Sequence, residues 1–268
     1  MKKLICILAL VASVATLSGC INITIFPKAG KGVKGSGVLI EKQISIDAFH
    51  SVDVQEGIRV VISPSQPQES AHIQADDNLM ECLVVRVEQG ELEIEFADTV
   101  RFVDGHSVVI TLPALPQLRC LEASSGAVIR NEVAMTAPEV ELSASSAAKI
   151  LATVKAHRCE IDLSSGAGIK ASLEVNACEV DASSAAVAKL SGSVAKAHLD
   201  ASSGGNIDAS ELAATTCQAE ASSAGEISIR CEERLMANAS SGGTIHYTGA
   251  CKVQPTTSSG GRIHNDDL

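Results

Sequence analysis

A Ser-Ser pair that recurs at nearly constant spacing is the feature that most constrains the fold of this chain. The first copy is Ser124-Ser125 and the last is Ser258-Ser259, with the other first serines at positions 145, 164, 183, 202, 222 and 240. The steps between copies are 21, 19, 19, 19, 20, 18 and 18 residues. Repeats of about twenty residues are typical of solenoids, in which each repeat buries its apolar face against its neighbours. The sequence therefore predicts a repeat solenoid over residues 119–268.

Each repeat alternates in polarity around the Ser-Ser pair. Positions one and three before the first serine are mostly small or aliphatic, and positions two and four before it are mostly polar, as in a strand with one buried face. The position five residues after the first serine is occupied in the eight copies by Ile129, Ile150, Ile169, Ala188, Ile207, Ile227, Ile245 and Ile263. Stacked rungs would place these side chains about 4.8 Å apart. We therefore predict one continuous buried seam.

The third residue of the repeated phrase indicates a corner. It is glycine in five copies, and glycine adopts positive φ without steric cost. The copies with Ala147, Ala185 or Ala224 at this place predict a corner that is not uniformly left-handed. The serines are interpreted as structural, because no recurring base stands beside them to activate a nucleophile. No catalytic residue is predicted.

Two solenoid architectures fit a period near twenty. A left-handed hexapeptide helix would need aliphatic residues every six positions, but that place holds His157, Asn176 and Thr215 in three copies. The rung length also drifts, which a strict hexad does not tolerate. We therefore predict an all-β fold, a right-handed parallel β-helix with rungs of about 18–21 residues.

Residues 36–118 alternate in the same way without the Ser-Ser phrase. Runs of β-branched and alternating residues, separated by glycine and proline turns, are typical of strands. The clearest runs are Val52–Val54, Ile58–Ile62, Leu83–Val87, Leu92–Phe96 and Val108–Leu112. We predict an irregular N-terminal β cap, continuous with the solenoid, that covers the edge of its first rung.

The N-terminus reads as a secretory signal. Two lysines precede the apolar run Leu4–Leu17, which is too short to span a bilayer. The ending Leu17-Ser18-Gly19-Cys20 resembles a bacterial lipobox, which implies acylation of Cys20 and a membrane anchor. We predict a lipoprotein signal peptide over 1–19 and a flexible tether over 20–35. The alternative is an ordinary secretory signal with an incidental cysteine.

Composition restricts the partners. The formal net charge is −11 at pH 7, which argues against nucleic acid and favours cations or basic ligands. Aromatic residues make up only 2% of the chain, too few for sugar-stacking platforms. The predicted partners are the lipid membrane, through Cys20, and envelope or extracellular ligands.

An acidic stripe is predicted along one outward face of the rungs. Asp162, Asp181, Asp200 and Glu220 occupy the position two residues before the first serine in four consecutive repeats, and Glu122 occupies it in the first repeat. Two residues earlier in their repeats stand Glu141, Glu160 and Glu179. Stacked carboxylates repel, so bound Ca²⁺ would relieve the repulsion, and the four in consecutive repeats are candidate calcium ligands. The alternative is a solvated face that binds no metal. No other cofactor is predicted.

Cysteines and histidines suggest weaker sites. Cys159 and Cys178 share an inward position in adjacent repeats, where an oxidising compartment would favour a disulfide. Parallel side chains and an odd total of seven cysteines after Cys20 favour free buried thiols instead. His246 and His264 share one position in neighbouring repeats and would supply only two ligands to a metal.

Several motifs resemble the family described as auto-transporter adhesins with a head GIN domain, found among Bacteroidetes-type envelope lipoproteins. They are Gly35-Ser36-Gly37, Phe49–Val54, Gly57–Val60, and rungs such as Asp162–Gly166 and Asp200–Gly204. The resemblance covers residues 35–268. It implies a right-handed parallel β-helix with an adhesin-like function, and it supplies no catalytic residues.

We therefore expect a membrane-anchored lipoprotein of the cell envelope, in the outer membrane, that acts as a non-catalytic adhesin-like or scaffold β-helix. Its exposure to the periplasm or the cell surface is left open. The alternative is a polysaccharide-active enzyme of the pectate-lyase kind. Such an enzyme needs clustered calcium ligands, a basic side chain and long loops. The short, uniform rungs leave little room for those loops.

Overall fold

The computed structural model describes residues 31–98 and 100–267, and all regular secondary structure in these ranges is β-strand. The N-terminal strands are β1 (Lys31–Lys34), β2 (Leu39–Ser45), β3 (Ser51–Val54), β4 (Arg59–Ser63), β5 (Ser70–Asp76), β6 (Leu83–Glu88), β7 (Glu91–Phe96), β8 (Val100–Asp104) and β9 (Val108–Pro113). The repeat strands are β10 (Cys120–Ala123), β11 (Val128–Met135), β12 (Glu139–Ala144), β13 (Lys149–Leu163), β14 (Gly168–Ala182), β15 (Val187–Ala201), β16 (Asn206–Ala221), β17 (Glu226–Ala239), β18 (Thr244–Thr248), β19 (Lys252–Thr257) and β20 (Arg262–Asn265).

The repeats stack as parallel coils. In the central rungs one long bent strand runs from each Ser-Ser corner to the next, and it pairs in parallel with the strands of the rungs on either side. The register follows the repeat, so that Cys159 faces Cys178 and Asp181 faces Asp200. The predicted parallel β-solenoid is confirmed, with about 8 turns.

The isoleucine seam is the centre of the core. Ile150 pairs with Ile169, and the file continues through every later rung. Its members are buried except Ile263, which lies in the last rung and is half-buried. Toward the N-terminus the seam extends through Val60 to Ile110. Each buried branched side chain stabilises the fold by about 1.5–3 kcal/mol, so the seam is a main stabilising contribution.

The prediction about the alanine corners is wrong. Ala147, Ala185 and Ala224 have φ of 64°, 62° and 62°, as left-handed as glycines such as Gly126 at 77°. The second serine of each corner, such as Ser125 with φ 51°, is also left-handed. Two consecutive residues with positive φ form a tight turn of the I′ kind. Every corner therefore has one conformation, whatever its third side chain.

Backbone hydrogen bonds explain why the corners are uniform. Within a corner, the N–H of Ala127 donates to the carbonyl oxygen of Ser124 at 3.0 Å. Between corners, the N–H of Gly126 donates to the carbonyl oxygen of Ser146 at 2.9 Å. The same pattern repeats down the stack, so each corner is fixed by its own turn and by the next rung.

One rung of the solenoid lacks the Ser-Ser phrase. Strands β3 and β4 pair in parallel with β10 and β11, so they form the rung that precedes the first serine repeat. Their corner has the same left-handed pair, Glu56 at φ 60° and Gly57 at φ 73°. The Glu56 carboxylate accepts a hydrogen bond from the Phe96 N–H at 2.8 Å. The residue types differ, but the geometry of the repeat is kept.

The cap closes the N-terminal end by pairing out of sequence order. Strands β7 and β9 stack in parallel outside β3 and β4, although they follow them in the chain. The end is then covered by antiparallel strands, β6 on β7 and β5 on β9, with β2 on β5. Phe49, Leu79 and Phe96 are buried beneath them.

The C-terminal part of the predicted tether over 20–35 forms a paired strand. Residues Lys31–Lys34 form β1, which pairs in parallel with β8. Gly35 then packs so closely on Asp76 that a Cβ there would lie 2.6 Å from the Asp76 Oδ2. The remaining part of the predicted tether, residues 20–30, and the predicted signal peptide over 1–19 lie outside the described residues.

Candidate binding face: the acidic ladder

The outward face of the rungs carries two neighbouring files of carboxylates. Asp162, Asp181, Asp200 and Glu220 lie in register on consecutive rungs, as the sequence predicts. Parallel pairing places equivalent residues about 4.8 Å apart, close enough for their charges to interact. We call the acidic residues of the two files together the acidic ladder, which consists of Glu93, Asp53, Glu122, Asp162, Asp181, Asp200 and Glu220 in the first file and Glu91, Glu141, Glu160 and Glu179 in the second. Ser143 interrupts the first file between Glu122 and Asp162, and Ser51 and Cys120 interrupt the second between Glu91 and Glu141.

Asp53 and Glu93, the cap residues of the first file, were not recognised as part of the stripe from the sequence. Glu122 pairs with Asp53, and Asp53 pairs with Glu93, so the first file extends through two cap rungs. The signal was present, because Val52-Asp53-Val54 repeats the apolar-acid-apolar pattern of Leu121-Glu122-Ala123 before a corner. It was hidden because no Ser-Ser pair follows Val54.

The carboxylates of the acidic ladder destabilise one another. The pKa of Asp162, Asp181 and Asp200 is raised, first by burial and then by the neighbouring carboxylate in the next rung. Burial also raises the pKa of Asp53 and of Glu122, again with contributions from adjacent acids. Ionising any one of these groups therefore costs more in the fold than in water.

Few basic side chains compensate this charge. Arg158 contacts Glu179 and lies 3.6 Å from Glu160, and Arg86 lies 2.6 Å from Glu93. In residues 31–98 and 100–267, no lysine or arginine forms an ion pair with Asp162, Asp181 or Asp200. The central part of the ladder is therefore an anionic surface without lysine or arginine partners, although His198 acts to lower the pKa of Asp181 and of Asp200.

An open cleft of about 470 Å³ lies beside the N-terminal part of the acidic ladder. Its lining includes Glu122, Glu141 and Glu160 together with Arg119 and Arg158. His50 also lines it, and in the described part of the chain the buried His50 Nδ1 has no hydrogen-bond partner. The cleft is thus polar and open, and carries charges of both signs.

A second cleft, of about 370 Å³, lies where the cap meets the first serine rungs and is mostly apolar. Ile62 comes from the cap, Leu115 and Leu118 from the segment after β9, and Met135 from the end of β11. The register between β11 and β13 shifts between Arg130 and Ala134, which opens the coil at this point.

The predicted metal ligands do not form a cage. Among the residues that the structure describes, no three His, Cys, Asp or Glu side chains come together as a metal site. The candidate calcium ligands Asp162, Asp181, Asp200 and Glu220 lie in a line, and Ca²⁺ binding by them stays a prediction. His246 and His264 stack with ring centroids 5.2 Å apart, and His246 Nδ1 lies 3.2 Å from Asp266.

The cysteines after residue 30 are free thiols, including the predicted disulfide candidates. Cys159 and Cys178 face each other on adjacent rungs. Both are buried, and burial raises the pKa of each thiol to about 12. They are therefore poor nucleophiles and pack as small apolar side chains.

The serines act through their backbone. Within the described ranges, no hydroxyl-to-hydroxyl bond joins the serines of the repeated phrase, although their carbonyl oxygens accept bonds between rungs.

Cys20, the predicted lipidation site, lies outside the described residues. In the part of the chain that the structure covers, no helix is long and apolar enough to cross a membrane.

The fold and the repeats match a known family. Residues 48–251 match the family described as "Putative auto-transporter adhesin, head GIN domain". The chain belongs to this family. The family resemblance predicted from the motifs is therefore confirmed, and no curated protein matches the chain.

Solved structures from two Parabacteroides species share the fold. A "putative adhesin" from Parabacteroides merdae has a TM-score of 0.76 at 22% identity, covering 88% of this chain and 99% of its own. A "putative adhesin" from Parabacteroides distasonis has a TM-score of 0.78 at 22% identity, covering 88% and 100%. A "putative lipid binding protein" from Parabacteroides distasonis has a TM-score of 0.75 at 20% identity, covering 88% and 99%.

Proposed function

We propose that this member of the adhesin family is a non-catalytic, lipid-anchored envelope protein whose acidic ladder binds cationic ligands. The observation that carries the proposal is the run of carboxylates from Asp162 to Glu220 on consecutive rungs. Rigid rungs hold these charges at fixed spacing, so a cationic partner gains several contacts without ordering the protein. Basic peptides and polymers carry charges that suit such a file.

Binding to poly-L-lysine tests the proposed face. The triple variant Asp162→Asn, Asp181→Asn, Asp200→Asn removes three ladder charges. We expect it to weaken binding at low ionic strength by about tenfold or more, since charge complementarity is the main attraction. Added salt should reduce the affinity of the wild-type protein, because exposed charges are screened over about 10 Å at 0.1 M.

The matched control removes three carboxylates that lie elsewhere on the rungs. Glu174→Gln, Glu211→Gln and Glu226→Gln together change the net charge by the same amount without touching the ladder. Equal weakening by both triple variants would show that only net charge matters and would refute the proposed face. Circular dichroism would verify that both variants fold.

Lipid anchoring is proposed from the lipobox-like sequence that ends at Cys20. Cells that express the full chain with radiolabelled palmitate are expected to label the wild type and not Cys20→Ser. An unlabelled wild type would refute the anchor. Protease shaving of intact cells then separates surface display from periplasmic exposure, because only a surface-displayed solenoid would be cleaved.

The contacts that Arg158 makes with neighbouring glutamates argue against the pectate-lyase alternative. Arg158 contacts Glu179 and lies near Glu160, so it is not free to act as a base. Such an enzyme also needs clustered calcium ligands. Incubation with polygalacturonate and Ca²⁺ is expected to release no unsaturated products, and their appearance would refute the non-catalytic assignment.

A second candidate function is lipid binding, which the apolar cleft favours. Ile62, Leu115, Leu118 and Met135 line a space of about 370 Å³, within the range of small-molecule pockets. A fluorescent fatty acid is expected to bind the wild type, and Met135→Asp is expected to abolish the binding. Unchanged binding in that variant would place the lipid elsewhere.

A further inference from the structure

Two cysteines of the last rungs lie on neighbouring turns of the solenoid. Cys231 is buried in β17, and Cys251 is half-buried in the short break between β18 and β19. Burial, and then the neighbouring Cys251 thiol, raises the pKa of the Cys231 thiol to about 11. They are twenty residues apart in sequence and belong to consecutive rungs.

The backbone directs these two side chains toward each other. Gly249 stacks on Cys231 so closely that a Cβ there would lie 2.1 Å from the Cys231 carbonyl oxygen. Lys252 pairs with Arg234, and the Cys231 Sγ reaches along its own strand to within 3.1 Å of the Arg234 carbonyl oxygen. The Cys231 thiol therefore lies beside the segment of the next rung that includes Cys251, and it is also 3.8 Å from the Thr215 carbonyl oxygen of the preceding rung.

The irregular backbone around Cys231 and Cys251 distinguishes them from Cys159 and Cys178. Those two lie in register within regular strands, where side chains project side by side, and both are buried from any oxidant. Cys231 lies where the register with β16 shifts, and Cys251 lies outside a strand. Cys231 and Cys251 are therefore not held side by side by a regular strand pair.

We propose that Cys231 and Cys251 form a disulfide that locks the final rung onto the solenoid. The half-buried Cys251 thiolate attacks a donor disulfide, either glutathione disulfide or an oxidoreductase disulfide of the envelope. Cys231 then displaces the donor from the mixed disulfide. The two cysteines lose two electrons and two protons, and the donor is reduced to two thiols.

The bond would act where the solenoid is weakest. Val253 and Ile263, in the last rung that the structure describes, are only half-buried. Terminal repeats contact a single neighbour and open more easily than central ones. The inference goes beyond the proposed ligand-binding face, and its test does not depend on the anchor at Cys20.

The test oxidises the purified, reduced chain with glutathione disulfide, alkylates it in denaturant and maps the peptides by mass spectrometry. The expected product links Cys231 to Cys251, while Cys159, Cys178 and Cys217 are alkylated. A linkage between other cysteines, or full alkylation of Cys231 and Cys251, would overturn the proposal.

Hydrogen exchange supplies a second readout. Oxidation is expected to slow amide exchange across Thr244–Asn265 in the wild type, and reduction should restore the faster rate. Cys251→Ser is expected to exchange at the fast rate under both conditions. Cys82→Ser, a control in the cap, should keep the redox dependence. Loss of the dependence in both variants, or its absence in the wild type, would also overturn the proposal.

Discussion

The N–H of Ala185 donates a hydrogen bond to the carbonyl oxygen of Ser203, one rung away, at 3.2 Å, although Ala185 has φ of 62°. A left-handed backbone costs an L-residue roughly 1–2 kcal/mol, which glycine avoids. The hydrogen bonds of the stack therefore hold an alanine in a conformation that it disfavours. The same holds for Ala147 and Ala224.

Replacing the strained alanine should stabilise the protein. Ala185→Gly is expected to raise the free energy of unfolding by roughly 1 kcal/mol, because the strain exceeds the added entropy of the unfolded chain. Urea denaturation measures the change. The matched control is Gly204→Ala, in the next corner, where an added Cβ meets nothing within 4 Å. The free energy of unfolding of Gly204→Ala should fall by a similar amount, because only the positive φ disfavours the alanine there. Destabilisation by Ala185→Gly would contradict this account.

The geometry of the repeats could be predicted from the sequence wherever the same residue type recurs at the same position of each repeat. The spacing of the serine pairs and the isoleucines at fixed offset predicted parallel stacking and the buried seam. The corner at Glu56-Gly57 was not found, because the backbone needs positive φ there and not serine. The alanine corners were misread because side-chain preference was weighed without the inter-rung hydrogen bonds that override it.

The cap and the candidate site show the same limit. Local alternation identified strands in residues 36–118, but it carries no information on partners, so the stacking of β7 outside β3 was not foreseen. The acidic stripe was predicted from Glu122 to Glu220. Its continuation through Asp53 and Glu93 depended on that unforeseen pairing.

Gly192 fills a place that no other residue fits. It pairs with Leu173, has φ of 106°, and a Cβ there would lie 2.1 Å from the Leu173 carbonyl oxygen. Gly192→Ala is expected to reduce the free energy of unfolding by roughly 3 kcal/mol, from strain and steric overlap. Gly168→Ala is the control, since its Cβ would meet no atom closer than 3.9 Å. Similar denaturation midpoints for the two variants would refute the packing argument.

Neutralising a ladder carboxylate should stabilise the fold in a pH-dependent way. The pKa of Asp181 is raised by burial and by Asp200 and Glu179, so ionising it costs stability in the folded state. This loss of stability is absent at a pH below the ordinary carboxyl pKa, and it is complete once the pH has risen through the raised value. Asp181→Asn should therefore gain roughly 0.5 kcal/mol at pH 7, after solvent screening, and nothing at pH 3.

Thermal melts at the two pH values measure this effect. The control Glu174→Gln removes a carboxylate that is ion-paired with Lys155 at 2.8 Å, and it should not stabilise the protein at pH 7. An equal gain from both variants would attribute the effect to overall net charge.

Calcium should act on the same four side chains. Because Asp162, Asp181, Asp200 and Glu220 form a line and not a cage, binding is expected to be weak and to need millimolar Ca²⁺. In chelator-treated protein, added Ca²⁺ should raise the Tm of the wild type and leave that of Asp181→Asn nearly unchanged. A wild-type Tm that does not respond to Ca²⁺ would argue that the ladder binds no metal.

Asp76 should control the acid stability of the cap. Its buried carboxylate accepts hydrogen bonds from the N–H of Gly37 at 2.7 Å and of Ser107 at 2.9 Å. These bonds, that of Ser107 foremost, lower the pKa of Asp76. The stabilisation is therefore present above the ordinary carboxyl pKa and is lost as the pH falls through the lowered value.

Asp76→Asn turns an amide toward these two backbone donors, so we expect a lower Tm than that of the wild type at pH 7. The difference should shrink as the pH falls below about 3.8, where the carboxyl of the unfolded chain takes up a proton while the native pKa of Asp76 is lower. Asp47→Asn, at an exposed site before β3, is the control and should leave Tm unchanged. A Tm difference for Asp76→Asn that persists at pH 2 would show that packing, and not the charged hydrogen bonds, holds the cap to residues 35–37.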